Sequence, residues 1–161
     1  MQVFVLAALL LVASTLVNGQ TRFSDTGLET DVPNETHYLI EDLSEDAAKI
    51  GLTEDRIRQR VELRLRQSGF KPTDRSKQKD DPLRPYLLVR VSVVARAFAV
   101  ELHYKRPAAF KARDEGYITM VTSWNVGTVG VHANMSQKIL DEGLSGLLDE
   151  FLNAYLRANP R

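Results

Sequence analysis

The sequence contains no cysteine among its 161 residues. This absence excludes disulfide bonds, thiolate catalysis and cysteine-ligated metals, and it excludes a lipid-modified cysteine behind a leader. Histidine is scarce as well. His37, His103 and His132 lie far apart, and none has a metal-ligand spacing such as H-E-x-x-H. The sequence therefore predicts no metal site and no cofactor.

The chain has no net charge, because 21 basic residues balance 21 acidic ones. No overall field favours a nucleic acid or an anionic membrane. The charges are nevertheless segregated along the chain. Residues 20–55 carry ten acidic and two basic residues, residues 56–113 carry five acidic and sixteen basic residues, and residues 114–161 carry six acidic and three basic residues. These blocks neutralise one another within the fold, lie in solvent, or form a basic surface for an anionic partner. Since Phe70 is the only aromatic residue of the basic stretch 56–84, we predict no nucleic-acid partner.

Motifs of catalysis are also missing. The Gly127-x-x-Gly130 spacing fits neither a dinucleotide fingerprint nor a P-loop. Leu144-Ser145-Gly146 falls inside a predicted helix, whereas a serine nucleophile needs a strand-to-helix turn. The carboxylates of Glu41–Asp42 and of Asp80–Asp81 are neighbours in sequence only, and adjacent strand residues point apart. The sequence therefore predicts a protein that is not an enzyme.

One apolar run, Val3–Val17, stands at the N-terminus. With the small or permissive residues before Gln20 it is typical of a secretory signal peptide, which we place at residues 1–19. The run is short for a membrane span of about 20 residues, so an uncleaved anchor and a buried helix are the weaker alternatives. We expect a secreted or periplasmic protein without a stable membrane span in its mature chain. Residues 20–36 are predicted to be a disordered lead-in, and residues 37–161 a single domain.

The most regular stretch is 86–105, in which apolar residues alternate with other residues. This pattern predicts two antiparallel strands joined by a two-residue turn at Ala95-Arg96. The predicted register places the apolar residues of both strands on one face and pairs Arg90 with Glu101 on the other. The apolar set comprises Leu87, Val89, Val91, Val93, Phe98, Val100, Leu102 and Tyr104.

Two segments have helical patterns. Residues 53–68 begin at the N-cap Thr53, carry an apolar stripe and end before Gly69, which suits a left-handed C-terminal position. Five arginines on this helix indicate either an anion-binding face or, as we favour, a solvated one. Residues 134–158 form the second predicted helix, capped by Asn134 or Ser136, and two glycines in its middle indicate close contact with the sheet. The first stripe is Ile57, Val61 and Leu65, the arginines are at 56, 58, 60, 64 and 66, and the glycines are Gly143 and Gly146.

Shorter elements complete the prediction. Strands are expected at 37–43, 70–73 and 117–124, with Ile118, Met120 and Trp124 facing the core and Tyr117, Thr119 and Ser123 facing away. The first strand, helix 53–68 and strand 70–73 would form a right-handed βαβ unit. We expect a helical turn at 44–50 capped by Ser44, loops at 74–85 and 106–116, and a loop or irregular edge strand at 125–133.

Several segments carry a resemblance to known proteins. They are Ile50-Gly51-Leu52-Thr53, Val61-Glu62-Leu63-Arg64-Leu65-Arg66 with Gly69, Pro85-Tyr86-Leu87-Leu88-Val89, the Trp124 strand, and the closing segment 151–160. In this order they resemble a group of small secreted bacterial α/β proteins without an established function, over residues 37–160. The group is loosely similar to small modules of periplasmic and outer-membrane assembly proteins. The resemblance implies a binding or assembly role and no catalytic residues.

These observations predict an α+β fold of two layers. A mostly antiparallel sheet of four or five strands is covered on one face by helices 53–68 and 134–158. The open face is the candidate interaction surface, formed by Tyr86, Leu88, Arg90, Glu101, His103, Tyr117 and Val121.

Three functional hypotheses follow. The first is a binding or assembly module that holds an unknown protein partner, or a second copy of itself, on the open face or at a sheet edge. The second is a ligand-binding or hydrolytic protein with a pocket between loops 106–116 and 125–133. The third is an anion-binding module that uses the arginine helix.

Overall fold

Five strands form a single sheet in the computed structural model, which describes residues 27–30, 35–77, 81–112, 115–131 and 135–160. The strands are β1 (Glu35–Ile40), β2 (Lys71–Asp74), β3 (Tyr86–Val94), β4 (Ala97–Ala112) and β5 (Glu115–Val131). Their order across the sheet is β2-β1-β3-β4-β5. β1 is parallel to both of its neighbours, whereas β3, β4 and β5 are antiparallel. The sheet is therefore mixed, and "mostly antiparallel" describes only its β3–β5 half.

Helices form the second layer. They are α1 (Glu45–Lys49), α2 (Glu54–Gln67), α3 (Met135–Lys138) and α4 (Ser145–Ala158), and a π-helical turn, Ile139–Leu144, joins α3 to α4. A short 3-10 turn, Arg75–Lys77, follows β2. The buried residues of α2 and α4 form one core with the sheet residues that face them. The α+β fold in two layers is thus confirmed. The predicted signal peptide at 1–19 lies outside the described residues.

Helix α2 follows its sequence signals closely. The side chain of Thr53 accepts a hydrogen bond from the Arg56 amide at 3.3 Å, which caps the N-terminus. The stripe of Ile57, Val61 and Leu65 is buried. Gly69 has φ +83°, and the Phe70 amide donates to the Leu65 carbonyl at 3.0 Å, as in a Schellman ending. Since β1 and β2 are parallel neighbours, α2 is the crossover between them.

The β3–β4 hairpin is also confirmed in register. Leu87 lies opposite Tyr104, Arg90 lies opposite Glu101, and the whole predicted apolar set is buried. The turn places Ala95 at φ +52°, a left-handed conformation that glycine or asparagine adopts more readily. The burial of the hairpin's apolar face decides the register despite this unfavourable turn residue.

The segment predicted as a loop at 106–116 is a strand wherever it is described, and of the two alternatives for 125–133, a loop or an irregular edge strand, the structure shows an edge strand as far as Val131. β4 continues to Ala112 and β5 runs without interruption to Val131. Because β3 pairs with β4 only as far as Lys105, residues 106–112 and 115–121 project beyond β3 as a two-stranded arm. Pro107 is tolerated there because β4 no longer has to donate to β3. In the sequence, the proline and glycine residues of these segments indicated breaks between elements. The pairing of β4 with β5 makes the segments strands instead.

An extra residue in β5 changes which face its side chains occupy. Trp124 lies opposite Tyr104, but Lys105 lies opposite Thr122, so Ser123 is a bulge. Trp124 is buried as predicted. Because the bulge shifts the alternation by one residue, the side chains of Ile118 and Met120 lie on the sheet face opposite the helices. The prediction that they face the core was wrong. The prediction that Tyr117 and Val121 belong to the open face was also wrong, because the bulge turns them to the helix side.

The C-terminal helical segment is not one regular helix. The π-helical turn interrupts it, and an extra Cβ at Gly143 would lie 3.3 Å from Val100 Cγ2, which confirms close contact with the sheet. At Gly146 a Cβ would meet no atom within 4 Å, so close packing does not explain this glycine. Ser44, the predicted cap of α1, donates to the Val93 carbonyl at 3.2 Å rather than capping the helix. Asn134 lies outside the described residues.

A short N-terminal segment, 27–30, contacts the end of α4. Leu28 is fully buried in the core. Asn159 holds the segment from both sides: its side chain accepts from the Thr30 amide and donates to the Leu28 carbonyl, each at 2.9 Å. These residues belong to the 20–36 region, for which the sequence indicated no fixed contacts. One buried leucine and one asparagine are enough to position them.

Candidate functional site

Five of the seven predicted surface residues lie together on the open face, which we define as the sheet face opposite the helices. Neighbouring strands place them in cross-strand pairs: Leu88 opposite His103, and Arg90 opposite Glu101. Tyr86 completes the group, opposite Lys105 and, on its other side, His37 of β1. The structure thus assembles one surface from β1, β3 and β4. Tyr117 and Val121 are not part of it.

An ion-pair network occupies the middle of this surface. Arg90 donates to both carboxylate oxygens of Glu41, with Nη2 at 3.2 Å from Oε1, and its Nη1 lies 3.6 Å from Glu101 Oε2. The hydrogen bond from Arg90 is the main cause that lowers the pKa of Glu41. All three side chains are about two-fifths exposed, so each pair contributes only about 0.2–1 kcal/mol. The network fixes the orientation of Arg90 more than it stabilises the fold.

Two polar atoms beside this network lack hydrogen-bond partners within the described part of the chain. They are Nε2 of His103 and Oδ1 of Asn125, which belong to opposite residues of β4 and β5. The Glu101 carboxylate lies 3.8 Å from His103 Nε2, too far for a hydrogen bond. Burial lowers the pKa of His103 despite the attraction of Glu101. The imidazole is therefore kept neutral at pH 7.

A basic corner lies at the Tyr86 end of the surface. The Arg75 guanidinium stacks 4.3 Å from the centre of the Tyr86 ring and donates to the carbonyls of Pro82 and Arg84. Nη1 of Arg84 lies 3.4 Å from His37 Nε2. Burial, followed by the charge of Arg84, lowers the pKa of His37. This corner gives the open face one cationic end.

The arm carries the two remaining predicted residues. Tyr117 stacks on Phe110 with 5.6 Å between ring centres and 19° between ring planes, and both rings are exposed. Val121 lies nearer the bulge, opposite Arg106. The arm's aromatic pair is on the helix side, so it forms a surface separate from the open face.

The predicted pocket between 106–116 and 125–133 does not exist in the described residues. These segments occupy opposite ends of the β4–β5 hairpin, with Arg106 opposite Val121 and Phe98 opposite Gly130. A groove of about 360 Å³ is found elsewhere, where the last residues of β5 meet the π-helical turn and the start of α4. We call it the edge groove. It is lined by Phe98, Thr128, Gly130, Gly143, Gly146 and Leu147, among others.

Sequence reasoning missed the edge groove, and for the strand beside it left a loop and an irregular edge strand as alternatives. Of the 17 residues of β5 only Glu115 is charged, although β5 is an edge of the sheet. An uncharged, alternating run from 116 to 131 was the signal that could have identified an unprotected edge. The glycines within it drew attention to loops instead.

The arginines of α2 have partners within the protein. Arg64 donates to Asp149 with both Nε and Nη2, at 2.6 and 2.5 Å, and Arg60 pairs with Asp141 at 2.5 Å. Arg58 contacts Glu54, Asp55 and the buried Asp74, Arg66 pairs with Glu62, and Arg56 donates to the Gly51 carbonyl. The arginines of α2 are therefore paired within the fold, two of them with acidic residues of the C-terminal block. This pairing removes the basis for an anion-binding helix.

The described residues contain no group of three or more histidine and carboxylate side chains placed to hold a metal. Among the same residues, every helix is too short or too polar to cross a membrane. The open face combines an apolar centre with paired charges.

Comparison with known proteins gives no further indication of identity. No protein-family model matches the chain, and no curated protein matches it either.

Proposed function

We propose that this protein is a secreted or periplasmic binding module, without enzymatic activity, that holds a protein partner on the open face of its sheet. One observation carries the proposal: the helices cover one face only, while the other presents half-buried apolar residues beside an ordered ion-pair network. An apolar centre with a polar rim on an uncovered face is typical of an interaction site.

The composition of the open face indicates what kind of partner fits. Leu88 and Tyr86 provide apolar area, and Arg90, already oriented by Glu41, presents a fixed donor group. Interfaces are typically enriched in tyrosine and arginine around an apolar centre. A folded protein surface with its own apolar and polar groups matches this pattern.

The test is a quantitative pull-down from the envelope or culture medium of the native host. Leu88→Asp places a charge at the centre of the open face, and we expect partner recovery to fall at least about tenfold, since a buried unpaired charge disfavours binding. Leu63→Asp is the matched control, because Leu63 is an exposed leucine of α2 on the opposite layer. Circular dichroism establishes that both variants fold. Equal recovery with both variants would contradict the proposal.

A further inference from the structure

We infer that the β5 edge pairs antiparallel with the β5 edge of a second copy of this chain, so that two five-stranded sheets join into one. This inference deepens the proposed function, since it adds a defined self-association to a binding module. It concerns a strand edge and not the open face, so the two can fail separately.

The two edges of the sheet differ in how they are protected. β2 has four residues, among them Lys71, Pro72 and Asp74, and charges, proline and short length all discourage added strands. β5 has 17 residues, no proline and a single charge at its far end, Glu115. In the described part of the chain no strand pairs with its outer side. Among the described residues, the backbone groups on that side therefore have no strand partner.

A second copy is the occupant that best fits the character of this edge. In a two-fold antiparallel pair, each partner presents the same strand, so any charge near the axis would face a like charge. Residues 124–131, beyond the bulge, are all uncharged and satisfy this condition. Val129 and Val131 are 53% and 67% exposed on the open side of the edge, and they would gain cross-strand neighbours.

The edge groove supplies room on the helix side of an added strand. Side chains of a sixth strand that point toward the helices would lie beside Gly130 and Gly146. No atom lies within 4 Å of the position that a Cβ at residue 146 would occupy, so the space there is open. Glycine stands at this position although it weakens a helix. An added β5 strand thus meets an uncharged strand edge and, on the helix side, open space beside Gly146, in a groove that also carries Lys138, Glu142 and Glu150.

The first experiment measures mass by light scattering on the full chain purified from an exporting host, with its N-terminus read by mass spectrometry. We expect a dimer in the micromolar range. Val129→Lys should raise the dissociation constant at least about tenfold, because it places two lysines within the paired run 124–131, close to the axis, where they repel each other. Val94→Lys is the matched control, since Val94 is 69% exposed on the same face but belongs to the inner strand β3. Mixing Val129→Lys with Val129→Glu chains should restore pairing.

The absence of cysteine permits a second, independent readout. Single cysteines at 125, 128, 129 and 131 should give a covalent dimer on mild oxidation at the position nearest the axis, whereas Val94→Cys sets the collision background. A chain that stays monomeric at about 100 µM would overturn the inference. So would a dimer that Val129→Lys leaves intact. If Leu88→Asp breaks that dimer instead, self-association uses the open face, and the proposed function survives without the edge.

Discussion

The hydroxyl of Ser123 donates a hydrogen bond of 2.6 Å to the backbone carbonyl of Gly27, a residue 96 positions earlier. Ser123 is the bulge residue of β5, and Gly27 precedes the buried Leu28. The bulge therefore has two consequences: it reverses the facing of residues 115–122, and it anchors the N-terminal segment against the sheet.

The contact between Gly27 and Ser123 predicts an unequal effect of two alanine substitutions. Gly27 has φ +106°, and a Cβ there would lie 2.8 Å from the Ser123 carbonyl oxygen. Gly51 has φ +72° and open space around its Cβ position. We expect Gly51→Ala to lower the unfolding free energy by about 1 kcal/mol, from backbone strain alone, and Gly27→Ala to lower it by about 2–3 kcal/mol. Urea denaturation measures both unfolding free energies. Equal losses for the two variants would show that the N-terminal segment 27–30 can move away from Ser123 without loss of stability.

The two glycines near the start of α4 predict opposite outcomes. Gly146→Ala should raise the unfolding free energy by up to about 1 kcal/mol, because alanine favours a helix and finds empty space there. Gly143→Ala places a methyl group 3.3 Å from Val100 Cγ2, so we expect no gain or a loss. The measurement is the urea midpoint at an unchanged m-value. A loss with Gly146→Ala would indicate that the π-helical turn requires glycine at this position.

Sequence alone predicts the parts of this fold in which local patterns and burial agree. In α2 the cap Thr53, the apolar stripe and Gly69 all indicate the same helix, and the structure confirms each. In the β3–β4 hairpin, only one register buries both apolar sets. A segment is predictable when its local sequence signals and its burial in the fold favour the same structure in this way.

Prediction failed where pairing at a distance overrides local signals. Pro107, Gly127 and Gly130 are turn residues by propensity, yet β4 and β5 impose strands on them. The inserted Ser123 has no marker in an alternating sequence, so the facing of Tyr117 and Val121 was predicted with the wrong parity. The open face could be predicted from the hairpin, whereas the β5 edge required knowing which strand is last.

The buried histidines make the stability of the folded protein depend on pH. Burial lowers the pKa of His103 and of His37, so the folded protein binds protons less readily than the unfolded chain near pH 6. By linkage, the stability from the neutral imidazoles is complete above the unfolded pKa of about 6.5 and is lost as pH falls below it. The lowered pKa of Glu41 acts in a separate window, below about pH 4.5. The range from pH 7.5 to 5.5 therefore isolates the histidines.

We expect the unfolding free energy of the wild-type chain to decrease from pH 7.5 to 5.5, and His103→Gln to show a smaller decrease. At pH 7.5 the substitution should cost little, because Nε2 of His103 has no hydrogen-bond partner among the described residues. Urea titrations at both pH values give the four free energies, and chemical shifts of the His103 ring follow its protonation directly. A wild-type free energy that stays constant, or a ring that titrates at or above about 6.5, would contradict a buried, neutral imidazole at His103.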